Sequence, residues 1–154
     1  EDKVKDLFCS ETGYQTPKID TRAAIFENGK ILLVKEKDGR WSLPGGWADV
    51  DISATENVIQ EVREEAGLTV TADMVIAVQD REKNTRPVYA YKVVKIFYLC
   101  SVTCGTFEAN IETTERQYFG ISELPELAEE KNNREQIEMC FEAYHSENWK
   151  TMFD

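Results

Sequence analysis

One stretch constrains this chain more than any other: Ser53–Leu68, SATENVIQEVREEAGL. Ser53 and Glu56 form an S-x-x-E capping box, in which each side chain takes up a backbone N–H left open by the first helical turn. Gly67 stands where a helix C-terminus wants a left-handed residue. Val58, Ile59, Val62 and Ala66 fall on one side at about 100° per residue, so the spacing predicts a helix over 53–66 with one buried face. Glu61, Glu64 and Glu65 share a neighbouring face, while Glu56 and Arg63 lie on a third, solvated one. Like charges at i, i+3 and i+4 repel by about 0.2–0.5 kcal/mol per pair on an isolated helix. A helix that spends a face this way needs something to relieve the repulsion.

Strand signals surround the helix. Thr21–Glu27 and Lys30–Lys35 read as strands about the turn ENGK, and Asp38-Gly39 marks a second turn. A short strand at Trp41–Leu43 leads into Pro44-Gly45-Gly46, read as a loop with unusual backbone angles. Val70–Asp80 and Val93–Thr103 are long strands, joined by the polar and aromatic segment REKNTRPVYAYK, a loop or hairpin tip. Arg116–Gly120 is a short strand, and ISELPEL a turn or single helical turn. Arg134–Ser146 is a second helix with Ile137, Cys140, Phe141 and Tyr144 inward. Two helices among mixed strands imply an α/β (α+β) fold, a layered α/β/α sandwich with a mixed central sheet.

At 154 residues the chain suits one domain. Residues 1–20 are irregular, with Gly13 and Pro17 as breakers, and read as an N-terminal extension before a domain over 21–154. The chain opens on Glu1 rather than Met, which reads as processing or trimming of a longer N-terminal region. A net charge of −11 argues against a nucleic-acid partner, which needs a basic stripe. No apolar run approaches the roughly 18 residues of a membrane span, and no signal peptide is visible. Cys9, Cys100, Cys104 and Cys140 form no C-x-x-C, and the one histidine is His145, so a zinc site is disfavoured. Reduced, mostly buried thiols in a cytoplasmic protein are the expectation.

Clustered carboxylates are relieved by a hard divalent cation. Magnesium and manganese take oxygen ligands, and magnesium keeps waters and binds substrate phosphates as well. The stretch from Gly46 resembles the Nudix box, G-x5-E-x7-R-E-U-x-E-E-x-G-U with U apolar. Gly46, Glu61, Val62, Glu64, Glu65, Gly67 and Leu68 match in register, and LPGG precedes them as in that family. ETGYQTPKIDTRA and SLPGGWADV resemble the bacterial ADP-ribose or CDP-choline pyrophosphatase subgroup. Two positions depart: Ile52 replaces the expected glutamate and Gln60 the expected arginine. In the family that pair braces loop against helix. Removing one partner of a buried pair costs about 3–5 kcal/mol, whereas removing both can be nearly neutral. The departure therefore reads as a substituted brace.

The resemblance implies a Mg²⁺- or Mn²⁺-dependent hydrolysis of a nucleoside diphosphate linked to another group. It implies Glu61, Glu64, Glu65 and the Gly46 backbone as metal ligands, with Glu61 and Glu64 catalytic. The general base is a box glutamate or a later carboxylate, Glu115 ahead of Glu112, and Glu112 otherwise borders the substrate. Trp47 is a stacking partner for the base, with Tyr14, Tyr89, Tyr91 and Phe119 as further candidates. Arg22 is the leading phosphate contact, with Arg81 and Arg86 behind it. A homodimer in the cytoplasm with a small-molecule nucleotide substrate, no nucleic acid and no membrane completes the expectation. Competing readings are a Nudix-fold sensor without turnover and a pyrophosphatase for oxidised nucleoside triphosphates or capped RNA.

Overall fold

The computed structural model describes residues 15–85, 92–104 and 115–154. The chain runs β1 (Lys18–Glu27), β2 (Lys30–Lys35), β3 (Trp41–Ser42), β4 (Gly45–Trp47), α1 (Ala54–Ala66), β5 (Thr69–Asp80), the single turn α2 (Arg81–Asn84) and β6 (Val93–Cys104). It ends with β7 (Arg116–Phe119), a 3-10 turn (Ile121–Glu123), α3 (Arg134–His145) and β8 (Met152–Phe153).

The strands form one mixed sheet in the order β3-β2-β1-β6-β5-β8, with β4 on β1 and β7 on β2. β1 runs parallel to β6, and β5 parallel to β8; the remaining pairs are antiparallel. Strand β1 is buried without interruption from Asp20 to Ile25, as a strand covered on both faces must be. Ala23 and Ile25 pack under Val58, Val62 and Ala66 of α1, while Ala24 packs with Ile137 and Cys140 of α3. The sheet thus lies between the two helices, which is the expected sandwich.

Both helices are capped as their sequences require. The Ser53–Glu56 box closes α1, and Gly67 ends it at φ 67°, donating its N–H to Arg63 O. Asn133 and Gln136 form the same device on α3. Three expectations need correction. Gly45-Gly46 is not a loop but the start of β4, antiparallel to β1. Tyr144 does not turn into the core: it is exposed, with its ring stacked on Phe26. Strand β1 begins at Lys18, three residues before Thr21. The described residues contain no helix long and apolar enough to cross a membrane. Cys100 and Cys140 are free and buried, and Cys104 is exposed; burial pushes the first two thiols up to about 12.

Candidate active site

Strand β4 is three residues long and has two glycines for a steric reason. A Cβ on Gly45 would overlap the Thr21 carbonyl of β1. A Cβ on Gly46 would overlap the Glu61 carboxylate, which lies directly against this glycine. Glycine therefore lets β4 approach β1 on one side and lets a carboxylate of α1 approach β4 on the other.

Pairing on β1 decides which backbone groups face the helix. Ala48 N donates to Ile19 O and Ala23 N to Pro44 O, so the pairs alternate and Gly46 is turned toward β1. Its carbonyl accepts from Thr21 Oγ1 and from Asn57 Nδ2, both at 3.4 Å. Gly45 falls at the alternate position, and its N–H donates to Glu65 Oε2 at 3.2 Å. The glutamate face thus meets the strand at two points, Glu65 at the Gly45 N–H and Glu61 against Gly46.

The glutamates occupy three different environments. Glu61 lies over Gly46. Glu64 is half-buried and accepts from Gln60 Nε2 at 3.2 Å. At Glu65 burial pushes the carboxyl up to about 7, opposed by Arg22 and the Gly45 N–H and reinforced by Glu36. Among the described residues no three acid, histidine or cysteine side chains already converge as a metal cage. The set still fits a hard cation. Oxygen donors face a glycine strand cut back to admit them, and Glu65 is a carboxyl whose ionised form lacks hydration.

The remaining expected residues separate. Arg22, expected to contact phosphate, is 4% exposed and engaged within the protein: its Nε and Nη2 fork grips Asp20 at 3.0 and 2.9 Å, and Nη1 donates to Leu43 O at 2.8 Å. Its charge still acts on Glu65 through space. Arg81 is buried as well and donates from Nε and Nη2 to Glu130 O at 3.2 and 3.1 Å. Phe119 belongs to the core, its ring edge-on to Trp41. Trp47 is 47% exposed, with Lys18 Nζ 5.7 Å from its ring centre. Glu115 is exposed and its carboxylate accepts from Lys35 at 3.3 Å. Glu112, Tyr14, Tyr89, Tyr91 and Arg86 lie outside the described residues.

Sequence reasoning missed a buried charge network on the α3 face of the sheet. Asp20 joins Arg22 to Lys95, whose Nζ stands 2.6 Å from Asp20 Oδ2. Burial alone would raise the Asp20 carboxyl, but Arg22 and Lys95 outweigh it and hold it down at about 2. Burial pushes Lys95 down to about 8, with Asp20 opposing. The network aims Arg22 at Leu43 O, and Asn132 Oδ1 takes the Leu43 N–H at 2.7 Å, so the peptide leading into β4 is clamped from both sides. The polar residues at alternating positions of KIDTRA were the available signal for two of these charges. Glu36 was missed too; it faces Glu65 and pairs with Lys131.

Comparison with known proteins gives the family. The NUDIX domain model matches residues 17–140. The chain is similar to a putative ADP-ribose pyrophosphatase of Bacillus subtilis, 41% identical over 152 residues, covering 98% of this chain and 73% of that one. The crystal structure of an ADP-ribose pyrophosphatase from Streptococcus suis superposes with TM-score 0.84 at 52% identity, covering 90% of this chain and all of that one. That of a UDP-X diphosphatase superposes with TM-score 0.83 at 32% identity, covering 98% of this chain and 74% of that one.

Proposed function

The chain belongs to the Nudix family of hydrolases, and from that premise we propose that it cleaves the diphosphate of a nucleoside diphosphate linked to a second group, ADP-ribose foremost, with Mg²⁺ or Mn²⁺. The observation that carries the reading is the placement of Glu61 and Glu65 against the Gly45-Gly46 strand, with Glu64 on the same helix.

Glu61, Glu64 and Glu65 would hold the cation, and the backbone oxygen would come from Gly45, whose amide faces Glu65. When bound, the cation supplies charge neutralisation at the diphosphate and a more acidic water. Glu64, on the same helix as Glu61 and Glu65, takes the proton of the attacking water, ahead of Glu115, which lies outside that helix. Arg22 keeps the peptide at Leu43 still and biases Glu65 toward its ionised form. Trp47, 47% exposed, would be the stacking partner for the base. A cytoplasmic homodimer belongs to the same proposal and rests on the resemblance alone.

Product release from ADP-ribose, CDP-choline, a UDP-sugar, NADH, a dinucleoside polyphosphate and 8-oxo-dGTP tests the substrate class. The proposal expects ADP-ribose to exceed the others. Preference for 8-oxo-dGTP would replace it with nucleotide-pool cleansing.

A further inference from the structure

Ile52 and Gln60 do not meet across the site. Ile52 lines an apolar groove with Trp47, Val50 and Ile19, and Gln60 turns along the helix to Glu64. Something else must fix the loop between β4 and α1, because Glu61 can sit against Gly46 only if both elements keep their spacing.

We infer that Asn57 is the positioning residue that ties β1, β4 and the following loop to α1, and so sets the backbone against which the glutamates hold a cation. This inference rests on the metal site of the proposed function. Asn57 lies one turn before Glu61 on α1 and is 3% exposed. Its amide is used in three directions. Nδ2 donates to Thr21 Oγ1 at 3.0 Å and to Gly46 O at 3.4 Å, and Oδ1 accepts the Asp49 N–H at 3.3 Å. Thr21 Oγ1 in turn donates to Gly46 O. One buried amide thus reaches the central strand, the glycine strand and the loop beyond it.

The chemistry requires a primary amide. Donor and acceptor are both needed at one point, and among side chains of this length only asparagine presents both without charge. A carboxylate would meet the Gly46 carbonyl oxygen, and an apolar residue would leave the Asp49 N–H without Oδ1 and the Thr21 hydroxyl without its donor. The bonds run from helix to the Thr21 hydroxyl and to backbone rather than to the glutamates, so Asn57 acts through Thr21 and Gly46 and touches no reacting atom.

The test is calorimetric titration of Mn²⁺ into the parent, Asn57→Ala and Thr21→Val, alongside Mg²⁺ dependence of ADP-ribose hydrolysis. Outer-shell partners typically change metal affinity by about 10–100-fold, and Asn57→Ala is expected in that range. KM for Mg²⁺ should rise by a similar factor while kcat at saturating Mg²⁺ stays within about threefold. Thr21→Val keeps shape, removes the hydroxyl and should move Mn²⁺ affinity the same way by a smaller factor; it decides the matter if Asn57→Ala does not fold. A purely structural Asn57 would lower the thermal midpoint and leave Mn²⁺ affinity at the parent value, which would overturn the inference. A parent that binds Mn²⁺ but hydrolyses nothing would overturn the proposed function and leave this inference standing. A parent that binds no Mn²⁺ would overturn both.

Discussion

Helices α1 and α3 are alike in design and opposite in use. Both carry a capping box, both bury one apolar stripe on the sheet, and both present acids on the remaining surface. On α3 the acids Glu135 and Glu142 are exposed, and Glu138 pairs with Arg134 at 3.0 Å. On α1 the acids meet a glycine strand, and one of them, Glu65, is enclosed enough to be pushed up to about 7. An acidic stripe is therefore not a site in itself. What separates the two helices is the approach of β4, which glycine permits and Asn57 holds.

The largest expected difference is in activity. Glu64→Gln should reduce kcat by about 10²–10⁴-fold, the range for a lost acid–base or charge-stabilising group. Glu142→Gln on α3 should leave kcat unchanged and stability within about 0.5 kcal/mol. Equal effects on the two helices, measured by steady-state hydrolysis and thermal melts, would erase the distinction.

The glycines sharpen it next. Gly45→Ala drives a Cβ into the Thr21 carbonyl and should destabilise by about 1–3 kcal/mol or more in a denaturant titration. Gly46→Ala instead meets the end of a flexible side chain, Glu61. It should spare most of the stability and lose metal-dependent activity. A variant pair in which both unfold alike would show that β4 is spaced by packing only.

Titration separates the helices a third way. For Glu65 the folded value of about 7 lies above the ordinary 4.5, so the folded protein holds its proton more tightly than the unfolded chain. Its contribution to stability is full below the ordinary value and is lost as pH rises through the folded one. In EDTA the melting midpoint should therefore fall between roughly pH 5 and 8, by a loss of at most about 3 kcal/mol. Glu65→Gln should flatten that slope. A parent whose midpoint is flat over the same range would contradict the burial of this carboxyl.

The smallest effect is expected from restoring the family's brace. With Asn57 already tying loop to helix, Ile52→Glu plus Gln60→Arg should change stability by less than about 1 kcal/mol, as exposed pairs do. A large gain in rate would mean that the amide tie is inadequate.

Much of this was legible before the structure, for local reasons. The α1 cap, its stop at Gly67 and its two faces follow from residues within one helix, and the long strands from their apolar runs. Strand β4 was not legible, because two glycines and a tryptophan carry no alternation, and its pairing is decided by β1. Strand β8 is two residues long and gives no pattern. The surroundings of Arg22 were only half legible: Asp20 lies two residues away, but Lys95 and the Leu43 carbonyl come beside it from distant segments. Asn57 sits beside Val58 in an ordinary amphipathic pattern, and its three partners come from distant segments.

The central claim is that the α1 glutamate face works with a divalent cation on a nucleoside diphosphate derivative. Its most direct test is release of AMP and ribose 5-phosphate from ADP-ribose, with Mg²⁺ and then with EDTA. The account predicts hydrolysis with Mg²⁺, its loss in EDTA, and its return on adding Mg²⁺ back. Hydrolysis that persists in EDTA, or tight binding of ADP-ribose without any cleavage in Mg²⁺ or Mn²⁺, would contradict it.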